Sequence, residues 1–288
     1  MPFSAGGGVD TAGRTVATTL TKEAIVTKDI RVENREGGSG LVGMTYINSQ
    51  AGRADRLMVL GAHIVSTPLL QETNLTYADF TPLATLYADY VYFFVRPDSP
   101  IQSLQDIGAA LKADPGSISL GGSVPGGPGH LATAKLAKGF GVDPTKINYV
   151  PFDGDEALTA LLGGHIDVGS SGPEGLDLVD AGQLKVIGIS AEEPQGGRSE
   201  GIPTFKQGGS EESFVNFRII LAPPELDPAA TKFWQDALTK MSQTQAWKDA
   251  SAQYGWSPYF QTDGLEEFLA SQSSDYKTLL VELGVING

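Results

Sequence analysis

The chain has 288 residues, enough for two domains, and its 41% hydrophobic and 19% charged content is that of a globular protein. Thirty-four acidic residues against 20 basic ones leave a net charge of −14, which excludes a nucleic-acid binder and speaks against a role on anionic lipid, since both need clustered cations. The absence of cysteine excludes disulfides, thiolate metal sites and a cysteine nucleophile, and no apolar run approaches the ~18 residues of a membrane span.

In chain order, Met1–Phe3 reads as a very short strand ahead of a glycine loop, Ser4-Ala5-Gly6-Gly7-Gly8. A helix follows from Val9, with Ala12, Val16 and Leu20 as its stripe. The start is abrupt for a strand–loop–helix unit, and residues ahead of it are expected to have been removed. Ile30-Arg31-Val32 reads as a second short strand, followed by the glycine cluster Gly37-Gly38-Ser39-Gly40 and a helix from Leu41 to Ala51. Leu57–Leu60 is a buried-strand run that stops at Gly61. Residues 82–96 end in a dense aromatic and β-branched strand, and Arg96-Pro97-Asp98-Ser99-Pro100 breaks it as the expected domain crossover. Ser103-Leu104-Gln105-Asp106 has capping-box form and starts a helix.

The middle of the chain repeats this grammar. Ser117–Leu120 is a strand, Gly121 to Gly129 a long glycine loop, and His130 starts a helix. Ile147–Val150 and Ile166–Val168 are strands around a helix from Asp155 to Leu162; Ser170 to Glu174 opens another helix, and Leu184–Ile189 is a further strand. Residues 191–213 form a polar loop, and Phe217–Leu221 is a strand. Asp227-Pro228 starts a helix with face Phe233, Trp234, Leu238 and Met241, and a last helix carries Leu265, Phe268, Leu269, Tyr276, Leu279, Leu280 and Leu283.

Repeated strand–loop–helix units predict an α/β fold with parallel-rich sheets and covering helices. The glycine loops then fall at the carboxyl ends of strands, where ligands bind in such folds. The expected architecture is two domains around a cleft lined by both loops: residues 1–98 with 217–288, and residues 99–216.

Gly8 to Thr15 comes within one residue of the phosphate loop G-x-x-x-x-G-K-[ST], but Arg14 stands at the lysine position. No strand ending in a Walker-type aspartate accompanies it, and Thr11 spoils the dinucleotide fingerprint. A nucleotide-dependent transferase is the alternative this near-miss leaves open. The physics of such loops is broader: a helix N-terminus offers unpaired N–H groups and about half a positive charge, and glycines let an oxyanion approach them. A carboxylate satisfies those donors as well as a phosphate does. Around Ser123 and Ser171 the G-x-S-x-G pattern is incomplete, so Ser123 reads as a hydrogen-bond donor. His63, His130 and His165 have no metal-site spacing. His130 opens a helix beside the second loop, His63 follows a strand end, and His165 is a turn residue. Asp10 reads as an N-terminal cap or a loop brace; Asp153 and Glu174 would repel an anion or meet an amino group.

In their order, Ala5-Gly6-Gly7-Gly8-Val9-Asp10, Val32-Glu33-Asn34-Arg35 with Gly37–Gly40, Asp79-Phe80-Thr81-Pro82, Gly121-Gly122-Ser123 through His130-Leu131, Leu161 to Asp167, Ala181 to Lys185 and Ile202-Pro203-Thr204 span nearly the whole chain. Together they resemble the periplasmic solute receptors of tripartite tricarboxylate transporters, the Bug-type proteins. The resemblance implies a type II periplasmic-binding-protein fold without catalytic activity, cofactor or metal. It implies a periplasmic monomer, its leader removed, that captures a small di- or tricarboxylate and delivers it to a permease of one large and one small subunit. It also implies that two strand–turn–helix loops, here Ser4 to Asp10 and Gly122 to Gly129, hold the ligand through backbone N–H groups, small hydroxyls and water. The candidate ligand-binding residues are Ser4, Ala5, Gly6, Gly7, Gly8, Asp10, His63, Gly122, Ser123, Gly126, Gly127, His130, Asp153 and Ser171. A citrate-like ligand is the first expectation; an amino acid or aromatic carboxylate, or a role as a sensor's partner, are the alternatives. The chain departs from many relatives in having Ser4-Ala5 where they have proline before the glycines.

Overall fold

A computed structural model describes residues 1–3, 5–152 and 156–287. Its elements in chain order are α1 (Gly8–Lys22), α2 (Leu41–Asn48), β1 (Met58–Leu60), α3 (His63–Leu70), β2 (Thr81–Ala88), β3 (Tyr92–Val95), α4 (Leu104–Ala113), β4 (Ser119–Ser123), α5 (Pro128–Gly139), β5 (Asn148–Phe152), α6 (Glu156–Leu162), β6 (Val168–Ser171), α7 (Leu176–Asp180), β7 (Lys185–Ile189), β8 (Phe217–Ala222), α8 (Pro228–Gln243), α9 (Gln245–Tyr254), β9 (Ser257–Gln261) and α10 (Leu265–Glu282).

The chain divides into two units, Met1–Ala88 with Phe217–Lys277, and Asp89–Asn216 with Thr278–Gly288. In this division the first crossing falls at Asp89. The run at 82–96 is two strands, not one: β2 joins one sheet and β3 the other. The end of α10 groups with the second unit, where Lys138 Nζ lies 2.8 Å from a Glu282 carboxylate oxygen.

In the first unit the sheet has the order β1-β8-β2-β9, and each recorded pairing is antiparallel. The mixed α/β class stands, but the parallel pairing expected here is not found in this sheet among the described residues. The buried run of β8 places Ile220 and Ala222 in one core with Val9, Ala12, Val16 and Leu20 of α1. Strand residues alternate between faces, so Arg218 shares that face and stands at the end of β8 near the start of α1. Tyr87 stacks on Trp256 in the same core, ring centroids 4.0 Å apart and 6° from parallel.

Two short segments expected as strands do not join the sheet. Met1–Phe3 and Glu33–Arg35 are tied by Met1 N to Glu33 O at 2.6 Å, Arg35 N to Met1 O at 2.8 Å and the Asn34 side chain to Phe3 O at 2.8 Å; Ile30–Val32 carries no strand pairing among the described residues. Asp227 caps α8 as expected, its side chain accepting from Ala229 N at 2.8 Å, with Pro228 at the first helical position. Phe233 of that helix is 52% exposed and lies off the buried face formed by Trp234, Leu238 and Met241.

The second sheet has the order β5-β4-β6-β3-β7. Strand β4 runs parallel to β5 and β6, while β3 runs antiparallel to β6 and β7. The predicted strand–loop–helix grammar is realised in β4–α5–β5–α6–β6. Ser103 caps α4 by accepting from Asp106 N at 3.2 Å; the Asp106 carboxylate accepts from Gln102 N at 2.9 Å, one residue short of the expected box. Ser170 and Ser171 end β6 rather than opening a helix, because they pair with Phe93 and Tyr92 of β3.

Candidate functional site

Each glycine loop is described within its own unit. In the first, Ala5, Gly6, Gly7 and Gly8 are exposed at the start of α1. Gly7 is the N-cap in an extended conformation (φ −76°, ψ 169°), and no side chain among the described residues caps this end. The first-turn N–H groups of a helix have no intrahelical partner. Those of Gly8, Val9 and Asp10 therefore present a positive end, carrying the dipole of a 15-residue helix.

Asp10 fastens the loop from within. Its Oδ2 accepts from Gly6 N at 2.9 Å and Arg14 Nε at 2.7 Å, and its Oδ1 from Asn34 Nδ2 at 2.8 Å. Asn34 Nδ2 also donates to Phe3 O at 2.8 Å. The Arg14 hydrogen bond, with the Gly6 and Asn34 bonds behind it, holds the Asp10 carboxyl down at about 2 against the opposing cost of burial. Asp10 is 1% exposed, so this candidate braces the loop with both carboxylate oxygens already hydrogen-bonded. Arg14, at the lysine position of the near-miss phosphate loop, is turned onto Asp10, and the Gly6 N–H is taken as well.

A group that the sequence reading passed over stands beside this helix end. Arg218 of β8 is 8% exposed. A Cβ added to Gly8 would lie 3.5 Å from its Nη2, and one added to Gly61 only 2.5 Å from its Nη1. Glycine at position 61 is what lets the guanidinium occupy the space, whereas a methyl group at position 8 would only reach ordinary contact with it. His63, the first residue of α3, packs edge-on to Phe3, with ring centroids 4.8 Å apart and planes at 60°. Its Nδ1 is buried with no hydrogen-bond partner among the described residues. Burial first, and then the Arg218 charge, lower its pKa to about 4, so the ring is neutral near pH 7. The sequence did carry one signal for Arg218: a single charge inside the apolar run Phe217-Arg218-Ile219-Ile220-Leu221.

In the second unit the loop leaves the carboxyl end of β4. Here the donors are largely used within the loop. Ser123 Oγ accepts from Gly129 N at 2.9 Å and His130 N at 3.3 Å, Gly126 N donates to His130 Nδ1 at 3.0 Å, and Gly127 N donates to Val124 O at 2.9 Å. Gly126 and Gly127 therefore do not present free N–H groups. Gly126 has φ +77°, a conformation only glycine adopts readily. Ser123 still has its own hydroxyl proton to give. Because His130 Nδ1 accepts, its proton sits on Nε2; burial lowers its pKa, so His130 offers a neutral donor. Tyr149 Oη donates to Ser123 O at 2.7 Å, its ring 4.6 Å from that of His130, and burial pushes its phenol up. Gly122 is buried in β4, and Ser171 Oγ donates to Glu174 Oε1 at 2.8 Å. Ser4 and Asp153 lie outside the described residues.

Among the described residues no group of three or more His, Asp or Glu side chains is placed to hold a metal ion, and no helix is long and apolar enough to cross a membrane.

Comparison with known proteins gives consistent results. The model of a family described as tripartite tricarboxylate transporter family receptor matches residues 13–285, a span that begins just after the first glycine loop. A Cupriavidus necator protein described as a UPF0065 protein in the gbd 5′ region is 26% identical over 286 residues, 98% of this chain and 86% of that protein. A TctC solute-binding protein from Polaromonas, solved without ligand, is 26% identical, with a TM-score of 0.82 over 98% of this chain and 96% of that one. Rpa4515 of R. palustris, solved with adipate, shares the fold at 19% identity, with a TM-score of 0.79 over 99% and 96% of the two chains.

Proposed function

The chain belongs to the tripartite tricarboxylate transporter receptor family, and from that premise we propose that it is a periplasmic receptor for a small di- or tricarboxylate, delivered to the large and small membrane subunits of such a transporter. The observation that carries this reading is the start of α1: an exposed glycine loop, no side-chain cap among the described residues, and the buried Arg218 guanidinium beside Gly8. An anion is the ligand such an end accommodates at least cost, because it meets orphan donors and the helix dipole at once. Citrate is the first compound to test, with malate, succinate and adipate beside it.

In this reading Gly7 and Gly8 admit one carboxylate to the donors of α1. The Ser123 hydroxyl and His130 Nε2–H are the donors the second loop retains, which suits hydroxyl or carboxylate oxygens. In this reading the protein is a receptor rather than an enzyme, and the hydrogen bonds that Ser123 Oγ accepts from Gly129 N and His130 Nδ1 from Gly126 N serve to shape the loop.

The test is calorimetric titration of wild type and Gly7→Val with these four acids. Gly7 is exposed, and its φ of −76° is open to any side chain, so the variant folds while its branched side chain covers the helix end. The reading predicts at least a tenfold loss of affinity. Unchanged affinity in a folded Gly7→Val protein would remove the first loop from the site.

A further inference from the structure

We propose that the second loop reads an uncharged oxygen of the ligand, a hydroxyl or a keto oxygen, through the Ser123 hydroxyl proton and His130 Nε2–H, so that the receptor prefers hydroxy- or keto-polycarboxylates to their unsubstituted counterparts. The inference rests on the receptor reading above and narrows its ligand class.

The helix starts that follow the two glycine loops differ in what they have left to donate. At α1 the first-turn N–H groups have no side-chain cap among the described residues. At α5 they are used up. Pro128 has no N–H, Gly129 N and His130 N both donate to Ser123 Oγ, and Leu131 N donates to Gly127 O at 3.0 Å. A serine hydroxyl has two lone pairs and one proton. Ser123 Oγ uses both lone pairs on the α5 start, so its proton is what remains. A neutral imidazole accepts at one nitrogen and donates at the other. Gly126 N occupies the accepting Nδ1, so His130 meets a ligand as a donor only. Protonating the ring would set an Nδ1–H against the Gly126 N–H, so the loop itself favours the neutral form. Both groups are held in place. Tyr149 Oη donates to Ser123 O, and its ring packs against that of His130 with centroids 4.6 Å apart. Gly127 leaves free the room that a Cβ, 2.6 Å from Ser123 Oγ, would take.

The pair is therefore uncharged and donates without accepting. An ammonium finds no accepting side-chain atom in it. A second carboxylate would exchange its water for neutral donors without a cation to compensate it: residues 124–127 and 172–175, which follow the parallel strands β4 and β6, include Glu174 and neither lysine nor arginine. A hydroxyl or keto oxygen accepts from such donors without the desolvation of a charge, and a ligand lacking that oxygen leaves them unpaired.

The experiment is calorimetry of wild type and His130→Phe with three pairs of acids: malate and succinate, citrate and tricarballylate, 2-oxoglutarate and glutarate. The members of each pair differ by one hydroxyl or keto oxygen. Aspartate, which carries an ammonium where malate carries its hydroxyl, is the seventh compound. Wild type is predicted to favour the oxygen-bearing member of at least one pair by about tenfold and to bind aspartate more weakly than malate. His130→Phe keeps an aromatic ring against Tyr149 but has neither ring nitrogen. It should abolish the preference, whereas a merely structural role would weaken both members of a pair alike. Equal wild-type affinity within every pair would overturn the proposal, as would binding confined to the unsubstituted acids, or aspartate bound more tightly than malate. So would a preference that survives in folded His130→Phe; if that variant does not fold, the wild-type series decides alone. Those results leave the receptor reading standing, because the acids still bind. Failure of wild type to bind any of the seven compounds overturns both.

Discussion

Asp10 is the residue on which the first loop turns. One carboxylate holds Gly6, Arg14 and Asn34, and it does so in the first turn of α1, where the dipole favours a negative charge. Its folded-state pKa, about 2, lies below its ordinary value of 3.8. Its contribution to stability is therefore present above pH 4 and lost as the pH falls from about 4 through 2. Urea melts from pH 7 to pH 2.5 should show wild type losing about 1–2 kcal/mol more than Asp10→Asn over that window; parallel curves would mean that the network does not hold the loop. The glycine loops were legible residue by residue, because runs such as Gly6-Gly7-Gly8 have few other uses. The functions of Asp10 and Ser123 were less so. Both stand in candidate motifs, yet one braces its loop and the other caps a helix from the preceding strand, roles set by partners 4 to 24 residues away. Arg218 was legible only as an oddity in an apolar run, since its neighbours Gly8 and Gly61 come from elements more than 150 residues earlier in the chain.

At the scale of elements, β4 shows why glycine recurs where no ligand is needed. A Cβ on Gly122 would run into Ser170 Oγ on the neighbouring strand β6 and stand 2.8 Å from Tyr149 Oη on β5. Both hydroxyls are engaged, Ser170 with Gly121 O at 3.0 Å and Tyr149 with Ser123 O at 2.7 Å. Gly122→Ala should therefore cost about 1–3 kcal/mol by overpacking and lower the melting temperature by several degrees. A wild-type melting temperature would show that the three strands have slack there. Long, strongly patterned elements such as α1, α4 and α8 were readable from the sequence, the last two with their N-caps. Elements whose identity depends on sheet partners were not. Tyr92–Val95 looks continuous with Thr81–Ala88 in composition but pairs in another sheet, and β9 was missed because Ser257–Gln261 becomes a strand only beside β2. Antiparallel pairing in the first sheet was hidden for the same reason: alternation of strands and helices along the chain does not fix which strands meet.

For the whole molecule, a net charge of −14 and an anionic ligand are compatible because fields of exposed charges are screened within about 8 Å at physiological ionic strength, while donors at a binding site act at contact. Family membership rests on a match over residues 13–285 and agrees with a likeness in fold over almost the entire chain. The central claim is that this receptor's ligand is a small polycarboxylate. Its most direct test is a thermal melt of protein unfolded and refolded to remove any carried ligand, with citrate, malate, succinate, adipate, glutamate and magnesium–ATP each at millimolar concentration. A ligand at about 100 times its Kd adds about 2.7 kcal/mol to folding, enough to raise the melting temperature by several degrees. The account predicts such a rise with one or more of the four polycarboxylates and none with magnesium–ATP. A rise with glutamate alone, or with magnesium–ATP alone, or no rise with any polycarboxylate, would contradict it.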